Sequence, residues 1–499
     1  MKHKNVARFI AVLSVAALLL FIPACSRAGT GENGGNADSI EDAAGPKEAG
    51  GKAPERFVPK LPDADLGGYE FRALVFEYGT STVAFDAEEE TGDLINDAIY
   101  KRNRYVEEKY NVALKQIKTQ NTPWDANDSF KRSVMSGADD FDVCSQVDFK
   151  AFELVAEGLV LSADRLPYID LAQPWYMRDI NEASSVQNKT YIAFGDECLS
   201  LYENISVLCF NKKLMQDLGF ENLYNLVRDG RWTYDKFFEM CGEAALDIDG
   251  NGKMDASDRY GIVSQNDAFL PLFWICAGIQ TVVKDSEDML ALNLAGNEKL
   301  FGLLEKTCQM LYGGKKIYFD SFEELGYTEE NRNVSRQQFE NDLGLFYAAG
   351  IGGVPALRAM ETDFGIVPFP KADESQDRYY ARMANPWPKI VPVHAPDPER
   401  TSMILEAVAA ESGNAVIPVL KELCLKTKFT RDDESVEMVD LIFGSVFIDL
   451  GDSMYWDVRS AVTSEMMGKG NFASMAEKQS AKLQKILDNF NELIANMGE

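Results

Sequence analysis

Short apolar runs and amphipathic helical stretches alternate along most of this chain, and that alternation narrows the fold before any single residue is considered. Tyr69 to Phe76 is short, apolar and rich in aromatic or branched side chains, as a strand is. Asp93 then stands where a helix N-cap belongs, before Leu94, Ala98, Tyr105 and Val106 on one helical face. Phe141 to Val147 reads as a buried strand, followed by a helix that contains Phe152 and Val155. A β-α-β unit of this kind favours a parallel sheet covered by helices, the signature of an α/β protein. Ile205 to Phe210 and Tyr260 to Val263 read as further strands, with a helix capped at Thr233 between them. Ser474 to Glu477 has the pattern of a capping box, which predicts a final helix with Leu483, Leu487, Phe490 and Ile494 on one stripe.

The N-terminus has a different character. Lys2, Lys4 and Arg8 precede an apolar run from Phe9 to Ile22, too short to span a bilayer comfortably, which is the layout of a secretory signal. Its end, Ile22-Pro23-Ala24-Cys25, resembles a bacterial lipobox, and this predicts lipidation of Cys25. The segment 26–56 is rich in Gly, Ala, Asn and acidic residues and has almost no large apolar side chains, so it reads as a flexible tether. No second apolar stretch of spanning length is expected in the body.

Charge and rare residues exclude several function classes. The formal charge is -29, from 79 acidic against 50 basic residues, and loss of a signal makes it more negative. Such a surface repels phosphate backbones, so no nucleic-acid partner is expected. With His3 in the signal, only His394 remains for the mature chain, which removes HExxH proteases and multi-histidine metal sites. There is no GxSxG elbow, no GxGxxG fingerprint and no phosphate loop. Cysteines 144, 198, 209, 241, 276, 308 and 424 are odd in number and form no CxxC pair, so they read as buried hydrophobes.

Two local patterns carry chemistry. In the segment 247–258, Asp247, Asp249, Asn251, Asp255 and Asp258 place oxygen side chains at loop positions 1, 3, 5, 9 and 12, with Gly252 at the turn. That is the spacing of an EF-hand-type calcium loop, in which Lys253 contributes only its carbonyl. Asp258 is shorter than the usual Glu, which argues against bidentate, high-affinity coordination; the expected role is structural bracing by Ca2+, the alternative a polar, Gly-rich turn that binds nothing. Flat rings beside polar side chains form the second pattern, because sugar rings stack their C–H faces on aromatics while their hydroxyls need oriented polar partners. Trp274, Trp387, and the pair Tyr455 and Trp456 beside Asp457 and Arg459 are the candidates; Trp124, Trp175 and Trp232 are assigned to core or surface.

Further pieces, in order, are 96–103 (NDAIYKRN), Phe210-Asn211-Lys212-Lys213-Leu214, Gly230-Arg231-Trp232-Thr233, 363–371 (DFGIVPFPK) and Arg431-Asp432-Asp433-Glu434-Ser435. With these the chain from about Gly67 to Ala495 resembles the bacterial family 1 extracellular solute-binding lipoproteins, the maltose-binding-protein-like sugar-binding subunits of ABC importers. The resemblance implies a two-lobed, periplasmic-binding-protein-like (type II) α/β fold with hinge strands and a ligand cleft. It implies a first lobe over 57–197 that returns over 387–445, a second lobe over 198–386, and helices over 446–499 closing the second lobe and the cleft. The signal then covers 1–24 and the tether 25–56. Hinge crossings are expected after Tyr191 to Gly195 and near Trp387 to Val393.

Ligand contacts implied by the resemblance are Glu77, Tyr78, Gln146 and Asp148 in the first lobe and Asp196 and Glu197 at the first hinge. In the second lobe they are Asn266, Asp267 and Trp274, with Tyr455, Trp456 and Arg459 late in the chain. The chain departs from the maltose-binding relatives at Gly350-Ile351-Gly352-Gly353, where those place a stacking tryptophan, so the platform is missing or supplied from elsewhere. The expectation is a non-catalytic, monomeric binder of a carbohydrate, lipid-anchored on the extracellular face and partnered with importer permease subunits. Two alternatives remain open on sequence: a secreted glycoside hydrolase using paired carboxylates, and a calcium-braced surface or signalling protein without an importer.

Overall fold

The computed structural model describes residues 56–76, 85–119, 122–326, 328, 331–423, 432–468 and 470–496. Cys25, the signal, Glu77, Tyr78, Cys424 and all of the tether before Arg56 lie outside the described residues.

β1 (Tyr69–Val75), β2 (Val112–Lys118) and β3 (Val143–Ser145) lie parallel, with β1 in the middle. The helix Leu94–Tyr110 links the first two. Asp93 Oδ1 accepts from the amides of Ile95 and Asn96 at 3.0 and 3.1 Å, which satisfies two of the orphan donors of the first turn. The period of two then sorts the side chains: Phe71, Ala73 and Val75 enter one core with Leu114 and Val143, while Leu74 faces another. Within the segment expected as a strand over 141–147, only Val143–Ser145 pairs as one. Its neighbour there contains Pro386 and Pro388, which lack an N–H to continue the ladder.

A second sheet follows from β4 (Ser206–Asn211) and β5 (Tyr260–Ser264). After the hairpin of β6 (Val282–Lys284) and β7 (Leu290–Leu292), it gains β8 (Tyr318–Asp320), β9 (Gly344–Gly350) and β10 (Phe364–Val367). Its order is β10-β4-β9-β5-β8. β5 runs parallel to β8 and β9, whereas β4 is antiparallel to β9 and β10. Val207 and Cys209 face one core and Leu208 and Phe210 the other, so both faces are covered by helices. Each large apolar side chain buried this way is worth about 1.5–3 kcal/mol. The described cysteines, Cys144, Cys198, Cys209, Cys241, Cys276 and Cys308, are free and buried in these layers.

The chain then returns. β11 (Ala381–Arg382) pairs with β13 (Val446–Phe447), and β12 (Lys389–Ile390) joins the first sheet antiparallel to β3. The outgoing and returning crossings touch where Ala193 bridges Lys389 in antiparallel fashion. Two short extended segments are therefore the backbone joint between the sheets.

Two local expectations change. The last helix, Phe472–Asn496, begins before Ser474, and its cap is Asn471, whose Oδ1 accepts from the Ser474 amide at 2.9 Å. The helical stretch Pro398–Glu422 is long and apolar enough to cross a membrane, contrary to the expectation that the body holds no such segment. Of its most apolar window 72% is buried, with Met403, Ile404 and Val408 packed under the first sheet, which accounts for its composition as a core helix.

Candidate ligand cleft

A cleft of 250 Å³ opens where the carboxyl ends of strands from the two sheets approach each other. That is where ligands enter open α/β sheets, because the side chains just beyond the strand ends are fixed in place while the backbone turns away. On the first side, Val147 and Phe149 follow β3, and Pro123 with Trp124 begins the helix Pro123–Ser136. Opposite them, Asp267 and Ala268 follow β5, Ala349 and Gly350 end β9, and Ser206 starts the antiparallel β4. Arg382, Asn385 and Trp387 come from the returning crossing and Trp456 from the C-terminal helices.

The aromatic wall is continuous. Trp456 is 43% exposed and lies 4.9 Å, centroid to centroid, from Phe149; Trp124, 51% exposed, lies 6.4 Å from the same ring. Trp387 is buried edge-to-face against Phe76 at 5.1 Å and also lines the cleft. The Arg459 guanidinium carbon sits 3.9 Å over the Trp456 ring, which fixes the plane of that ring.

Beside this wall, buried polar atoms lack partners within the protein. Asp148 Oδ2, Asp267 Oδ1 and Arg459 Nη2 are inaccessible to solvent and make no hydrogen bond. Leaving such groups unpaired costs about 1–3 kcal/mol each, more when charged, so they point to a missing polar partner. Burial pushes the Asp148 carboxyl up to about 8, against the opposing pull of Arg459. Burial acts in the same direction on Asp452, but Arg382 and Arg459 outweigh it and hold that carboxyl below its ordinary value.

The residues expected at the ligand separate into groups. Asp267, Trp387 and Trp456 line the cleft. Asp148 lies buried between its lining neighbours Val147 and Phe149, and Arg459 sits behind Trp456. Asn266, beside Asp267, points its amide at Met467 Sδ, 3.1 Å away. Gln146 is fully buried and spent on bracing: its Nε2 donates to Pro123 O at 3.0 Å and its Oε1 accepts from the Val147 amide at 2.8 Å, which ties the Trp124 segment to β3.

Three assignments are corrected. Trp274 is wholly buried and donates its indole N–H to Asp449 Oδ2 at 2.9 Å, so the apolar segment around it belongs to the core. Tyr455 is buried edge-on against Phe490, because only its neighbour Trp456 faces outward from the start of the helix Trp456–Met467. Asp196 and Glu197 turn toward the crossing: Asp196 accepts from Tyr202 Oη at 2.6 Å, and Glu197 lines a separate 20 Å³ cavity with Lys389, Tyr176 and Tyr191. Conversely Trp124, assigned to core or surface, stands in the cleft, as do Phe149, Arg382 and Asn385, which no local sequence pattern marks. The Thr122 N-cap starts the helix that presents Trp124 at its second position.

In the acidic turn the carboxylates of Asp247, Asp249 and Asp258 place oxygens within 4.8 Å of one another. Asp247 accepts from the amides of Gly250 and Gly252 at 2.8 and 2.7 Å, and buried Asp258 from those of Ile248 and Asp255 at 2.8 and 2.9 Å. Asn251 donates to Asp249 Oδ2, the Lys253 amide donates to Asn251 Oδ1, and Asp255 is engaged with Ser257.

Two sheets, a paired double crossing and a cleft at the strand ends define the two-lobed fold of solute-binding proteins. Solved structures of that class superpose on the chain over most of its length. A sugar transporter from Rhizobium etli in an open conformation matches with TM-score 0.55 and 16% identity, covering 85% of this chain and 99% of that one. UgpB from Mycobacterium tuberculosis, bound to glycerophosphocholine, matches with TM-score 0.55 and 12% identity, covering 85% and 98%. An ABC substrate-binding protein from Listeria monocytogenes in complex with cycloalternan matches with TM-score 0.52 and 12% identity, covering 86% and 99%. No family model matches the sequence, and no curated protein matches it. At these identities the likeness is one of fold.

Proposed function

We propose that the protein is the carbohydrate-binding subunit of an ABC importer and carries out no catalysis. The observation that carries this reading is one cleft lined by the exposed Trp456 and Trp124 rings, with the unpartnered Asp267 Oδ1, Asp148 Oδ2 and Arg459 Nη2 buried in its wall or just behind it. A sugar supplies a C–H face for the rings and hydroxyls that both donate and accept. Contacts to both lobes form together only when the lobes approach, so ligand shifts the population toward the closed form by its differential affinity. The R. etli and L. monocytogenes neighbours, a sugar transporter and a cycloalternan complex, support a carbohydrate; the glycerophosphocholine complex marks the alternative to be tested beside it.

The lipobox-like end of the signal supports anchoring through Cys25 on the extracellular face, where permease subunits would receive the loaded protein. Convergence of Asp247, Asp249 and Asp258 supports a bracing Ca2+ in the acidic turn. The test is thermal melting and calorimetry with a saccharide panel that includes glycerophosphocholine as a non-sugar control. A saturable rise in melting temperature with a saccharide is expected; silence across the panel, or response to the control alone, rejects the sugar assignment.

A further inference from the structure

Behind the cleft lies a charge network whose centre, Asp452, is not among the proposed ligand contacts. Asp452, in the short helix Leu450–Ser453, is 2% exposed and accepts from two arginines at once. Arg382 grips it with a fork, Nε to Oδ2 at 2.8 Å and Nη2 to Oδ1 at 2.9 Å. Arg459 Nη1 reaches the same Oδ1 at 3.1 Å and donates also to Asn385 Oδ1 at 3.0 Å.

Each arginine then fixes one part of the cleft. The remaining Arg382 nitrogen, Nη1, donates to the carbonyls of Asp267 and Ala268 at 3.2 and 3.4 Å, so it seats the turn from which unpartnered Asp267 Oδ1 projects. With Nη1 committed, Arg459 keeps Nη2 unpartnered and lays its plane on Trp456. Asn385, the second acceptor of Arg459, lies on the returning crossing with a left-handed backbone at φ 49°, and Asn204 Nδ2 donates to its carbonyl at 3.0 Å. One carboxylate therefore sits at the meeting point of β11, the crossing and the C-terminal helices.

We infer that Asp452 is a positioning residue for ligand recognition, aiming Arg459 Nη2 directly, Trp456 through Arg459, and Asp267 Oδ1 through Arg382. This rests on the sugar-binding reading for its ligand arm but not for its structural arm. A bidentate arginine–carboxylate pair has little angular freedom, which is what a site with two separated polar contacts requires. Removing the carboxylate leaves both arginines free to re-pair, and a ligand hydroxyl that had matched Nη2 loses its partner.

The test uses the full chain labelled with 5-fluorotryptophan and the variants Asp452→Asn and Asp452→Glu, the second keeping the charge so that folding is preserved. In the ligand-free protein the Trp456 fluorine line, assigned with Trp456→Phe, should move or broaden in the folded variants, while those of Trp175 and Trp232 stay. An unmoved Trp456 line in Asp452→Glu overturns the inference. The best binder among maltotriose, cellotriose, xylotriose and mannobiose is then compared with its monodeoxy analogues. Wild type should lose about 10- to 100-fold for one of them, the value of a hydrogen bond to a charged group, and Asp452→Glu less than about threefold for that same analogue. An equal penalty in both proteins overturns the positioning role and leaves the sugar reading intact. Failure of wild type to bind any of the panel rejects the sugar reading, and the fluorine spectra still decide whether Asp452 places Trp456.

Discussion

Trp274 and Asp449 form a buried hydrogen-bonded pair, with the indole N–H 2.9 Å from Asp449 Oδ2 and the Thr281 hydroxyl 2.8 Å from the same oxygen. The pair anchors the N-cap of the helix that carries Asp452. Trp274→Phe should therefore lower stability by about 1–3 kcal/mol through the lost partner and the space left behind. Saccharide affinity should stay within about twofold. Trp456→Ala should do the reverse, with a small effect on stability at a ring 43% exposed and about a 10-fold loss of affinity. Urea melts and calorimetry on both variants separate the two roles, and a large affinity loss in Trp274→Phe alone would place the site elsewhere.

Stability should fall as pH rises from about 4 to about 8. Burial pushes the carboxyls of Glu197 and Glu406 up to about 7 and that of Asp148 up to about 8, each more than its cationic or hydrogen-bonding neighbours pull it down. Each group takes up a proton on folding between its unfolded and folded values. Its contribution is thus complete below its unfolded value and lost as pH passes the folded one. Glu197 faces Lys389 and Arg102 as well as Asp196, itself raised to about 6 by burial, so the crossing holds several carboxyls that prefer the neutral state. Unfolding curves at pH 5, 6.5 and 8 should show this decline, and Glu197→Gln should flatten it. A stability that rises steadily over the range contradicts the assignment.

Calcium should raise the melting temperature of the full chain, and Asp247→Ala with Asp249→Ala should remove that increment. Both variants keep Asp258 bonded to the amides of Ile248 and Asp255, but Asp247→Ala gives up the bonds from Gly250 and Gly252, so each variant's calcium-free melt is its own baseline. Magnesium should substitute poorly, because it demands a tighter octahedral shell. A wild-type melt indifferent to millimolar calcium removes the metal from the account.

The alternating pattern was legible because strand and helix periods are local. The Asp93 cap and the strand at Tyr69–Val75 follow from residues within a few positions of each other. The cleft is a different kind of object. Arg382 and Asp452 meet across 70 positions and Trp274 and Asp449 across 175, and no local period encodes either meeting. Trp274 and Trp124 are hard to tell apart for the same reason: a tryptophan in an apolar run and one at a helix start look alike until the tertiary fold covers the first and exposes the second. Local chemistry also misplaced Ser474, since Asn471 competes for the same cap and wins by lying before the first turn.

The missing tryptophan beyond β9 offers the last test. Gly350 lines the cleft, and a Cβ there would stand 3.1 Å from Glu203 O, so the backbone of this strand end lies too close to its neighbour for a larger side chain to be accepted without adjustment. A larger side chain is therefore disfavoured at that position, and the cleft has Trp124 on its β3 side instead, 6.4 Å from Phe149 and with Lys150 Nζ 6.0 Å from its ring. If Trp124 supplies the absent platform, Trp124→Ala should weaken saccharide binding by about 10-fold with little change in stability, as expected for an exposed ring whose value lies in stacking. The double variant with Trp456→Ala should lose less than the product of the single losses, because both rings flank Phe149 and clamp one ligand. Calorimetric affinities of the four proteins check this. Unchanged affinity in Trp124→Ala would mean that the ligand stacks on Trp456 alone.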